Sequence, residues 1–174
     1  LRRKGELLAT EPALSDPEDI AGHHQVRIAA KRLRYTMEIC VPAFGKQLDG
    51  AIGAVRKVQS LLGDVHDCDV WVRNLGTFIK QERGRTIEYF GHARPFNRLR
   101  DGLEFLRDER ARHRQQVFAE LLEHWQHLCA EGLWDGLEAM LQPDDAASAS
   151  PQVESQDEPI HGTEDTIDED SAAQ

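Results

Sequence analysis

Aromatic side chains are scarce in this chain, at 6% of 174 residues, and no apolar run approaches the roughly 20 residues of a membrane span. The opening "LRRKGELLATEP" lacks the apolar centre of a signal peptide. It reads instead as the end of a helix, so further sequence is expected upstream of Leu1. Cys40, Cys68 and Cys129 are far apart and free of CxxC spacing, which argues against zinc-ribbon and dithiol redox motifs. Each is expected to be a small apolar residue in a packed interior, in a reducing cytoplasm. Sustained strand alternation is also missing, and valines such as Val70 and Val72 sit in helical context, so the expected class is all-α.

Beyond Gln142 there is no Lys or Arg. The segment from Pro143 onward holds ten of the chain's 31 acidic residues and almost no large apolar side chains. Such a composition cannot offset its ordering entropy, and residues 143–174 are expected to be a disordered acidic tail. What remains, residues 1–142, sets 21 acids against all 21 Lys and Arg, so the formal charge of −10 belongs to the tail. A balanced body still binds a polyanion if its cations are sorted onto one surface.

The body reads as one helical domain. In "SDPEDIAGHHQ", Asp16 is an expected N-cap with Pro17 at the first helical position, opening a helix that runs to about Val41 before Pro42 and Gly45 stop it. A second helix is expected over about 46–62, ended by Gly63, and a third from an Asp67 cap to about Glu82. Residues 83–95, with two glycines and a proline, read as a connection. A long helix follows over "FNRLRDGLEFLRDERARHRQQVFAELLEHWQHL", with an apolar stripe of Leu99, Leu103, Leu106, Val117, Leu121, Leu122, Trp125 and Leu128. A short segment, Trp134 to Leu141, packs across its end. The sum is a helical bundle of four-helix type.

The stretch "HHQVRIAAKRLRY" concentrates charge on one helix. At about 100° per residue, Arg27, Lys31, Arg34 and Tyr35 all fall within roughly 80° of His24. Val26, Leu33, Met37 and Cys40 fall on the opposite side, suited to the interior. Between Val26 and Glu38 there are four cations and no acid. That differs from the alternating signs of a helix laced with salt bridges. Glu38, one turn after Arg34, is placed to pair with it. The stripe is about 16 Å long, a length suited to an extended anion, and mixes forked guanidinium donors with an imidazole.

These residues resemble a family. The pattern HxxRxxxKxxRY in "HQVRIAAKRLRYTMEI", followed by "VRKVQSLLGDVHD", is similar to the CHAD domain, the conserved histidine α-helical domain, over about residues 17–82. The resemblance is to its C-terminal half, because only one copy of the basic motif is present. It implies inorganic polyphosphate as ligand, bound along a basic groove between two four-helix halves, and recruitment to polyphosphate granules in the cytoplasm. It implies His24, Arg27, Lys31, Arg34 and Tyr35 from the first motif and Arg56 and Gln59 from the second as binding residues. Gly63, Asp67 and Glu38 would support them, with Asp67 placed to hold Arg27 or Lys31. A CYTH-type triphosphatase domain is an implied companion. The second half comes either from an upstream N-terminal repeat or from a second chain in a homodimer.

Other readings stay open. His66-Asp67, with His23 or His24, imitates a metal-dependent HD phosphohydrolase. His24 also sits where a phosphotransfer histidine would stand, although Arg27 and Ile28 replace the lysine and glycine of an HxLKG motif. Arg107, Arg110 and Arg114 share a face, but Asp108 and Glu109 lie among them, leaving auxiliary contacts at best. Nucleic acid is disfavoured because Tyr35 is the only obvious stacking platform on the motif helices. No cofactor, metal or catalytic residue is indicated, and the chain reads as a binding module rather than an enzyme.

Overall fold

A computed structural model describes residues 1–141, and the expected disorder of residues 143–174 lies outside them. Five α-helices follow in order: α1 (Arg2–Leu8), α2 (Ile20–Phe44), α3 (Asp49–Phe90), α4 (Arg94–Ala130) and α5 (Leu133–Leu141). Short 3-10 turns over Glu11–Ser15 and Gly45–Leu48 flank α2. Among the described residues there is no strand, so the all-α expectation holds.

The start of α2 differs from the expected one. Asp19, not Asp16, is the cap, and its carboxylate accepts from the Gly22 amide at 2.8 Å. Asp16 instead closes a local turn by accepting from the Glu18 amide at 2.9 Å, leaving Pro17 outside the helix. Gly22 is obligatory here: a Cβ would lie 2.1 Å from the Asp19 carboxylate and 2.6 Å from Ala13 Cβ. Pro42 does not end α2 either. It sits in the last turn, exposed, and the chain leaves the helix at Gly45 with φ 59°.

The larger correction concerns α3, which is one helix of 42 residues where two were expected. Gly63 lies in its interior and Asp67 caps nothing. A mid-helix glycine costs only about 1 kcal/mol relative to alanine, and the packing on either side outweighs that: Leu61, Leu62, Val65 and Cys68 are all buried. The expected connection over 83–95 shrinks to residues 91–93. Gly91, left-handed at φ 72°, ends α3 by donating its amide to Ile87 O at 2.8 Å. Pro95 then falls in the first turn of α4, where no amide donor is needed.

One core joins all five helices. Leu7, Val26, Ala30, Leu33 and Met37 meet Ile52, Val55, Val58, Leu62 and Val65 of α3, Val117, Leu121, Trp125 and Leu128 of α4, and Trp134 and Leu137 of α5. The apolar side of α2 is therefore the expected one, with Cys40 partly buried beside it. Two expectations fail at this level. Cys129 is exposed, and so is Leu99, because α4 joins the core only from Val117 onward. Between Val65 and Val117 the α3–α4 hairpin leaves the bundle, burying only Cys68, Leu75, Phe96 and Arg114.

Arg114 ties that hairpin to the bundle. Its guanidinium bonds the Asp69 carboxylate and donates to Pro17 O at 2.7 Å, and it lies 4.0 Å from Glu18. Arg114 is buried and the Asp69 side chain is only 9% exposed, so Arg114 is a structural strut and not an exposed anion contact. His23 closes the same junction, with Nε2 at 3.0 Å from Asp16 O and its ring 4.8 Å from that of Phe118.

Candidate functional site

Burial of Val26, Ala30, Leu33 and Met37 fixes the roll of α2 and turns its cationic stripe outward toward α3. The corresponding side of α3 carries Arg56, Gln59, Ser60, Gly63, Asp64 and Asp67 at three- and four-residue spacing. Between the two helices these residues, with Arg27 and Arg34, line an open groove of about 410 Å³. Ser60 and Asp64 did not stand out in the sequence. The signal for them was their position one and two turns along from Arg56 on a helix that had to be continuous through Gly63.

At one end of the groove Glu38 organises two arginines. Arg34 Nη1 donates to its carboxylate at 2.7 Å and Arg56 Nη2 to the same oxygen at 3.2 Å. Desolvation pushes the Glu38 carboxyl up, but the bonds from Arg34 and Arg56 prevail and hold it below the ordinary carboxylate value. Arg34 also donates through Nε to Gln59 Oε1 at 2.9 Å. Its guanidinium carbon lies 4.3 Å from the Tyr35 ring centre, with Lys31 Nζ at 5.7 Å from the same ring. Gln59 is thus a partner of the stripe and not a solvent-facing residue.

Arg27 sits deeper. Its Nε is buried and has no hydrogen-bond partner among the described residues. Gly63 lies beside its guanidinium, and a Cβ there would meet Arg27 Nε and Nη2 at an ordinary 3.7 Å. The expected support from Asp67 is absent, since Asp67 pairs with His66 at 3.2 Å and with neither Arg27 nor Lys31. Lys31 and His24 are exposed on α2 outside the Arg34–Arg56 groove, and His24 borders a small neighbouring cleft with Arg27 and His66. The His24 and His66 rings are 6.2 Å apart. Among the described residues no three His, Cys, Asp or Glu side chains converge as metal ligands. Arg107 bonds its neighbour Asp108, on the hairpin away from this groove.

The arrangement presents a row of guanidinium donors, with the Lys31 ammonium beside them; Glu38 is a carboxylate that an incoming anion can replace, and Asp64 and Asp67 make the rest of the groove acidic. It suits a chain of singly linked anionic groups better than a compact molecule, because the donors are strung along α2 and not gathered around a point. No helix of the described residues is long and apolar enough to cross a membrane. The CHAD domain family matches residues 1–76, which covers α1, α2 and α3 to just past Leu75. No curated protein and no solved structure matches the chain.

Proposed function

Residues 1–76 carry a CHAD domain, and from that premise we propose that the chain binds inorganic polyphosphate along the α2–α3 groove without chemical change. The carrying observation is that Arg27, Arg34 and Arg56, from two helices, line one open groove. In this reading Arg34 and Arg56 exchange Glu38 for phosphate, Gln59 holds Arg34 in place, and Tyr35 braces Lys31 and Arg34 for the next phosphates along. His24 extends the row beyond Arg27. The chain would act in the cytoplasm as a polyphosphate anchor at granules, beside a CYTH-type domain, with the facing wall of the groove supplied by an N-terminal repeat or a second chain.

Counterion release makes such binding strongly salt-dependent. An Arg27→Ala, Lys31→Ala, Arg34→Ala variant is expected to lose three phosphate contacts. Its log affinity against log salt should be shallower by about 2 to 3 units than that of the natural chain. Equal affinity and equal slope for the two proteins would sink the reading. Release of phosphate from polyphosphate by the pure protein would overturn the assignment of binding without turnover.

A further inference from the structure

Past Val65, the side of α3 that carries the groove continues outward with no other described residue packed over Trp71 and Phe78. Trp71 is 52% exposed and Phe78 45%, and with Val70, Asn74 and Leu75 they line an open apolar groove of about 500 Å³. Asp64, Trp71, Phe78 and Arg85 fall at every seventh residue, so they run in a nearly straight line along one side of the helix. Seven-residue spacing is the register in which two long helices pack side by side. The line is also its own complement when reversed. An axis through α3 between Asn74 and Leu75 exchanges position 71 with 78 and position 64 with 85.

We propose that this face joins two copies of the chain, with their α3 helices antiparallel about that axis. Trp71 then packs on the partner's Phe78, twice, at the centre. Asp64 meets the partner's Arg85, twice, at the ends. Such an interface is isologous and closes on itself. Among the described residues Asp64 has no ion-pair partner and Arg85 is held only by Glu82, while its side chain remains 72% exposed. Asp67 comes level with the partner's Glu82, a like-charge pair that Arg85 offsets only in part because it is shared with Asp64. Resting on the groove reading above, the dimer has one further consequence. Asp64 lines the polyphosphate groove, so the partner's Arg85 caps the groove's acidic end and adds a cation to each site.

The test is sedimentation equilibrium of the full chain without polyphosphate across the micromolar range. The expected mass is twice 19.7 kDa. Trp71→Ala with Phe78→Ala is expected to weaken the dimer by at least about tenfold. Both side chains are exposed, and an unchanged far-UV circular dichroism spectrum will show that the fold persists. Asp64→Arg and Arg85→Asp should each weaken the dimer by placing like charges together at both ends, and the double variant should restore it. A monomer throughout, a dimer unaffected by the aromatic changes, or a double variant no tighter than the singles overturns the proposal. Polyphosphate binding is measured separately, so a monomer that binds it refutes the dimer alone, and a dimer that does not bind it refutes the groove alone.

Discussion

Glu38 is the residue on which the site's electrostatics turn. Its carboxylate neutralises Arg34 and Arg56 in the free protein, so it both orients them and competes with any anion they bind. Replacing it by glutamine keeps the shape and removes the competing charge. Glu38→Gln is expected to bind polyphosphate about 3- to 10-fold more tightly at low salt, with a log–log salt slope steeper by about 1. Weaker binding by the variant would mean that orientation outweighs competition. The same residue makes a stability prediction. Because its folded pKa is lowered, Glu38 contributes stability above the unfolded glutamate value of about 4.3, and that contribution is lost as pH falls through the folded value. Denaturant midpoints of Glu38→Gln and the natural chain should therefore differ near pH 7 and converge in acid. Glu138, held low by its bond from Lys4, and Glu6, held low chiefly by Arg3, add to the same acid sensitivity.

Among the elements, α3 makes the sharpest claim, because its continuity through Gly63 places Arg56, Gln59 and Asp64 on one groove wall. Gly63 has helical neighbours on both sides, and a Cβ there meets only Arg27 at an ordinary 3.7 Å. Gly63→Ala is therefore expected to stabilise the protein by about 0.5–1 kcal/mol, read from urea unfolding. A destabilised variant would place the real helix break at Gly63. Gly22 gives the opposite result at the start of α2. Its missing Cβ makes room for the Asp19 cap and for Ala13, so Gly22→Ala should destabilise, by at least the ~1 kcal/mol that a lost N-cap costs. If the two alanine variants shift the urea midpoint in the same direction, one of these local geometries is wrong.

At the scale of the whole molecule, the Arg114–Asp69 pair holds the hairpin to the bundle across three chain segments: α4, α3 and the loop at Pro17. Removing one member leaves a buried charge without its partner, so Arg114→Ala is expected to cost about 3–5 kcal/mol, measured by thermal or urea unfolding. A loss below about 1 kcal/mol would show that the junction is solvated. The ten acidic residues of 143–174 bear on this scale too: if the groove binds polyphosphate, carboxylates in the same chain would compete with it at high effective concentration. Deleting residues 143–174 should raise affinity for short polyphosphate and for RNA more than for long polyphosphate at low salt. Equal gains for all three ligands would leave those residues with a solubilising role.

The cationic side of α2 could be read directly from the sequence. The reason is physical: a helix fixes angular position from residue number alone, so His24, Arg27, Lys31, Arg34 and Tyr35 had to stand opposite Val26, Leu33 and Met37. The Arg34–Glu38 pair followed from the same rule. Helical periodicity without strand alternation likewise indicated the all-α class, and composition showed the concentration of acids beyond Pro143. Tertiary packing decided everything that depends on a second segment. Whether Gly63 ended a helix turned on the core contacts of Leu61, Leu62 and Val65, which outweigh a local cost of about 1 kcal/mol. Whether Asp67 or Glu38 held the cations, and whether Arg114 faced an anion or Asp69, turned on which helix lay alongside. Local spacing holds no record of residues 25 or 45 positions away, the separations of Arg34 from Gln59 and of Asp69 from Arg114.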